Sequence, residues 1–268
     1  MPDVYASITD ADVPTQERLA DIIEQRFADP RHQAMLRAYL SDIEFPSEAR
    51  VLEVGCGTGA VTRTLARWPG VGQAIGVDPS EVFIKRARTL AQRVPNVSFE
   101  QGDGRLLRFG PDAFDVVVLH TTLCHVPKPE RLIEEAHRVM RPAGWIAVFD
   151  GDYATATVAI GDSDPLQACV EAFRTHFVND PWLVRRLPRI LEAAGFKITP
   201  VRSHGYVEAP EAAYMLSWID RGADVLVRTG RIGRDCADAL TAEAKWRSAS
   251  KTWFGHIAFA SVVGQKPG

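Results

Sequence analysis

The stretch Val51-Leu52-Glu53-Val54-Gly55-Cys56-Gly57-Thr58-Gly59 decides the fold. Its apolar start, from Arg50 to Val54, reads as a strand, and Ala60–Arg67 reads as a helix. The glycines between them let the backbone come close to a ligand at the helix N-terminus. Strand, glycine loop and helix form the opening unit of a nucleotide-binding α/β sheet. Working outward, strands are expected at 73–77, 97–101, 114–120 and 144–150. Helices are expected from Pro79 and Ser80 to about 93 and over 129–140. Short apolar strands alternating with amphipathic helices predict a parallel sheet covered on both faces.

The alternation weakens on either side of this region. Residues 15–41 carry apolar positions at helical spacing, broken at Asp29-Pro30, and predict two helices. After 150, helices are expected at 165–178, 181–194 and over most of 210–250, with strands at 196–206 and 252–264. We expect four parts: an N-terminal helical lid segment (1–44), a core (45–206), a helical cap insertion (207–251), and the last strand of the core sheet (252–268).

Composition narrows the function. The 268 residues are 46% hydrophobic and 24% charged, which excludes disorder, collagen and coiled coil. Lys+Arg number 31 against 34 Asp+Glu, so the chain lacks the basic footprint of a nucleic-acid binder. The four cysteines (Cys56, Cys124, Cys169, Cys236) are dispersed, which argues against a metal site or a disulfide framework. No apolar run reaches the ~20 residues of a membrane span, and the first residues do not read as a signal peptide. A cytoplasmic protein without a membrane partner is expected, with monomer and homodimer both open.

Gly55-x-Gly57-x-x-Ala60 also satisfies a dinucleotide fingerprint, and Asp78, about 20 residues on, can accept from ribose hydroxyls in either case. Charge separates the two. A pyrophosphate would meet Glu53 at the strand end, with no Lys or Arg between 51 and 62 to offset it. S-adenosylmethionine carries a sulfonium and an ammonium against one carboxylate, and acids at three strand ends (Glu53, Asp78, Asp103) attract it. Each contributes on the order of 1–4 kcal/mol at contact distance.

At these residues the sequence resembles class I S-adenosylmethionine-dependent methyltransferases. The resemblance is carried by V-L-E-V-G-C-G-T-G (51–59), G-V-D-P-S (76–80), Q-G-D-G (101–104), F-D-V-V-V-L-H (114–120) and the stretch 124–145. It is nearest to the small-molecule branch that includes quinone-biosynthesis and natural-product enzymes. It implies an α/β, Rossmann-like, doubly wound, mostly parallel sheet of seven strands with the last antiparallel, helices on both faces and a helical cap. It also implies roles for individual residues. Gly55, Cys56, Gly57 and Gly59 would line the methionine part, with Glu53 on its ammonium side. Asp78, beside Pro79, would take the ribose, and Asp103 with Gly104 the adenine. The backbone of Leu119 and His120 would meet the methionine end.

Methyl transfer is an in-line displacement, so the expected chemistry is alignment, with an optional base. His120 and His125 flank the loop after the 114–120 strand and are candidates to position or deprotonate the acceptor. Asp152 and Tyr153, with Asp150, follow the 144–150 strand and are candidates to touch it. His176, Trp182, His204 and Tyr206 read as packing residues, and Arg221, Arg228, Arg231 and Arg234 as a solvated face that could also meet an anion. The leading expectation is transfer to an O, N or C nucleophile of a small molecule, with S-adenosylhomocysteine as product. The alternatives are an RNA or other nucleic-acid methyltransferase, a nicotinamide-dependent reductase, and a protein that binds S-adenosylmethionine without transferring methyl.

Overall fold

The computed structural model describes residues 3–199 and 201–268. Five strands, β1 (Ala49–Val54), β2 (Val71–Asp78), β3 (Val97–Gln101), β4 (Phe114–His120) and β5 (Met140–Thr157), pair in parallel in the order β3-β2-β1-β4-β5. β8 (Gly255–Gln265) pairs antiparallel with β5. β6 (Lys197–Ile198) and β7 (Arg202–Glu208) both pair with β8, so the strand expected at 196–206 is split in two and the sheet has eight strands. The expected doubly wound, mostly parallel arrangement is present. β4 is almost entirely apolar and buried, as a strand covered on both faces must be.

The covering helices are α3 (Ala60–Leu65), α4 (Glu81–Leu90), α5 (Glu130–Val139) and α7 (Leu187–Ala193). α5 buries Leu132, Ile133, Ala136 and Val139 on one face. Upstream of the sheet lie α1 (Val13–Ala28) and α2 (Pro30–Leu40), split at Asp29-Pro30 as the sequence predicts. Asp12 caps α1 through Thr15 N (2.7 Å), and Asp29 caps α2 through Arg31 N (2.9 Å).

Two features exceed the sequence reading. β5 runs on to Thr157, well beyond the expected 144–150, because β8 stays paired with it as far as Asp152 and again at Thr157. This extension carries Tyr153 past the sheet edge. The cap also starts earlier than residue 207: α6 (Leu166–Phe177) packs on α8 (Leu216–Arg228), which is followed by α9 (Arg234–Ala249). Gly222 on α8 makes that packing close, since a Cβ there would stand 2.0 Å from the Cys169 carbonyl oxygen on α6.

Strand order reverses between β1 and β4, the place where open α/β sheets bind ligands beyond their strand C-termini. The Gly222→Ala variant must push α6 from α8 and should lose about 1–3 kcal/mol, the usual range for overpacking, in urea unfolding.

Candidate active site

A cavity opens at this reversal point, with about 1100 Å³ of atom-free space including its mouth. One end is built by the loop after β1. Gly55 and Gly57 take positive φ (73° and 52°), and a Cβ on Gly55 would meet Thr122 Cγ2 at 2.4 Å. Glycine is therefore required where the β1 and β4 loops touch. Gly59, also at positive φ (74°), starts α3 against the Phe99 ring, 2.3 Å from where its Cβ would be, and supports the loop without lining the cavity.

Asp78 ends β2 and organises this end. It accepts from Gly57 N (2.9 Å) and Ser80 N (2.9 Å), so one buried carboxylate holds both the glycine loop and the turn into α4. Each oxygen keeps a lone pair for a ligand. Burial pushes its pKa up to about 6. Glu53, 2% exposed at the end of β1, accepts from the Thr62 hydroxyl, and burial pushes it up to about 8. Both carboxylates line the cavity with Gly55, Cys56, Gly57 and Pro79. Two desolvated acids of raised pKa are an environment that a cation relieves.

α1 lies across this end. Gln16 accepts from the Ser80 hydroxyl (2.6 Å), Glu24 pairs with Arg63 (2.8 Å), and Arg26 Nη2 donates to Thr121 Oγ1 (2.8 Å). Ile23 would contact a Cβ on Gly57 at 3.3 Å. The N-terminal lid expected from helical spacing thus sits directly on the glycine loop.

The other end holds the loop after β4. His125 lines the cavity while its Nδ1 is 2.6 Å from Asp3 Oδ2. Asp3 is buried and also accepts from Asn179 N (2.9 Å) and, through Oδ1, Tyr5 N (2.9 Å). The carboxylate accepts a hydrogen bond from Nδ1–H, which leaves Nε2 as the ring nitrogen not engaged by Asp3. His120 also lines the cavity, but its Nδ1 is 2.9 Å from the Tyr39 hydroxyl, and its ring stacks on Phe149 (4.6 Å). Burial drives its pKa well below the usual imidazole value, so the ring stays neutral. Tyr153 joins the lining, its phenol kept protonated by burial.

Several expected residues lie elsewhere. Asp103 is half exposed, bound by Arg105 (2.8 Å), which holds its carboxylate away from the cavity. Gly104 is outside the lining too; its lack of a side chain admits Val54, 2.4 Å from where a Cβ would be. The Leu119 side chain is wholly buried in the core, so only its backbone, as expected from the sequence, is left to face a ligand. Asp152 accepts from Arg185 Nε (2.9 Å) and does not reach the cavity. Asp150 is buried and accepts from Cys124 N (3.0 Å) and Gly151 N (3.0 Å), bracing the β4 loop.

The cavity walls also include Tyr5, Ile22, Arg26, Tyr214 and Trp218, none of which the sequence marked as a site residue, and Arg221, expected on a solvated face that could meet an anion.

The methyltransferase domain family matches residues 52–148, which contain the glycine loop and β1 to β5 as far as Val148. Over those residues the chain is similar to methyltransferase domains. An uncharacterized 37.1 kDa protein from a Streptomyces fradiae transposon is 28% identical over 81% of this chain and 61% of its own. A 2-phytyl-1,4-naphtoquinone methyltransferase from Thermosynechococcus vestitus is 28% identical over 63% of this chain and 71% of its own. The chain spans less than two thirds of the curated relatives that match it first. The YcgJ protein of Bacillus subtilis shares the fold, with a TM-score of 0.61 at 21% identity over 88% of this chain and all of that one.

The raised pKa of Glu53 makes a pH prediction for the ligand-free protein. Its folded value (about 8) exceeds its ordinary value (4.5), so its contribution to stability is present below about 4.5 and lost as pH rises to 8. Glu53→Gln removes the loss. Relative to wild type, its melting temperature should be higher at pH 8 than at pH 5, by about 2–4 °C per kcal/mol.

Proposed function

We propose that this chain is an S-adenosylmethionine-dependent methyltransferase acting on a small organic molecule. The observation that carries this reading is one continuous cavity whose glycine-loop end is acidic and whose far end is aromatic and covered by helices. The helices that contribute to the lining favour a small molecule over a nucleic acid strand. The quinone methyltransferase among the relatives supports a planar organic acceptor.

The residues present fit the cofactor. Asp78 offers free lone pairs for ribose hydroxyls, Glu53 a carboxylate for the ammonium, and Arg26, beside Thr121, a cation for the carboxylate. When bound, the cofactor supplies a methyl group already activated on a sulfonium. The chain's task is to align the acceptor, exclude water and take up a proton where the nucleophile carries one. α1 and the α6–α8 pair close the cavity over the reacting atoms. His125, oriented by Asp3, is placed to receive the proton at Nε2, while the Tyr39 hydroxyl pins His120 as part of the wall. Four free cysteines, three of them buried, support a reducing, cytoplasmic location as part of the same proposal.

Calorimetry should show S-adenosylhomocysteine binding, and Asp78→Ala should weaken it by about 1–3 kcal/mol. Absence of binding to the wild type overturns the reading. With isotopically labelled S-adenosylmethionine and a small-molecule extract, His125→Gln should lower methyl transfer roughly 10²-fold or more without altering cofactor affinity. Asp3→Asn should lower kcat and flatten its pH profile, since the amide no longer holds Nε2 as the acceptor nitrogen. Full activity in both variants would leave alignment alone as the chemistry.

A further inference from the structure

The far end of the cavity carries a cation that, among the described residues, rests on aromatic rings and pairs with no carboxylate. Arg221, on α8, lies over the Phe177 ring (3.9 Å to its centroid) and the Phe173 ring (4.8 Å). A guanidinium resting on ring faces sends its N–H donors sideways, in its own plane. Among the described residues no carboxylate forms an ion pair with it and no hydrogen bond is made by it, although Arg185, Arg186 and Arg247 each have an aspartate. Asp3 is a carboxylate whose charge bears on Arg221, and its oxygens are taken up by His125, Asn179 and Tyr5. Burial lowers the Arg221 pKa, the sign of a cation short of compensation.

The surroundings favour an anion with a flat body. Trp218 stacks on Phe173 (4.8 Å, 7°) and meets Tyr214 edge-on (5.2 Å, 75°), so the lobe presents flat walls joined at an angle. Burial raises the Tyr5 phenol to about 12, so it acts as a neutral donor to an anion. The aromatic walls alone would also suit a quaternary ammonium, but Arg221 and Arg26 in the same lining repel one.

We propose that the methyl acceptor is a planar aromatic carboxylate, its carboxylate held by the Arg221 guanidinium and its ring packed against Phe173, Tyr214 and Trp218. A guanidinium fork matches a carboxylate with two parallel hydrogen bonds, a geometry that a neutral amide reproduces poorly. The proposal rests on reading this lobe as the acceptor site. Arg221 is a specificity residue in it, while Arg26, over the Tyr214 ring (6.0 Å) and bonded to Thr121, stands between this lobe and the cofactor end.

The test is calorimetric titration of the full chain saturated with S-adenosylhomocysteine, using 2-naphthoate, 2-naphthamide and 2-naphthylmethylamine as matched probes. The wild type should bind the acid at least tenfold more tightly than the amide, and the amine most weakly. Arg221→Gln should erase the acid-over-amide preference, and Arg221→Lys should keep part of it. Affinity for S-adenosylhomocysteine should stay within twofold in both variants, which shows that they fold. Equal or tighter binding of the amide or amine, no binding of any probe, or a preference that survives Arg221→Gln overturns the proposal. Failure of S-adenosylhomocysteine to bind the wild type instead overturns the methyltransferase reading, and the acid–amide comparison is then read on the free protein.

Discussion

The Asp78 carboxylate accepts from Gly57 N and Ser80 N, and the cofactor end of the molecule is arranged around those two bonds. One bond curls the glycine loop into the positive-φ path that only glycine follows without strain. The other fixes Ser80, whose hydroxyl both caps α4 at Phe83 N (3.1 Å) and reaches Gln16 on α1 (2.6 Å). A buried charge shared among backbone donors thus ties β1, β2, α4 and the lid helix into one unit. Burial raises the energy of the ionised form, and those donors partly offset it. A cationic ligand completes the compensation.

The cavity is divided by charge along its length. Acids gather where the parallel strands end, because strand C-termini and the glycine loop converge there. The cations come from elsewhere: Arg26 from a helix that precedes the sheet and Arg221 from one inserted before β8. Asp3, about 120 residues before His125 in sequence, reaches it because the N-terminal segment is pinned by Asn179 N and Tyr5 N. A two-lobed site follows, with the sheet edge on one side and the helices outside the sheet on the other.

How much was legible depends on what kind of signal each residue leaves. The five parallel strands were readable because burial on both faces imposes unbroken apolar runs, as in β4. Gly55, Gly57 and Asp78 were readable because their backbone task permits few substitutes. Arg105, two residues after Asp103, pairs with its carboxylate, a local contact that no periodicity reports. The split between β6 and β7 and the long β5 were invisible, since both depend on what β8 pairs with. Trp218 and Arg221 carry no motif, and helical spacing does not say whether a face covers a core or a cavity.

Near neutrality of charge, the strand–loop–helix start and the acids at strand ends were determined by sequence alone, because each is a local pattern with a direct physical consequence. The placement of Asp3 on His125, of α1 over the glycine loop and of Arg221 on two phenylalanine rings was decided only in three dimensions. Those contacts join residues far apart along the chain, and their energies come from burial, which exists only after the fold has closed.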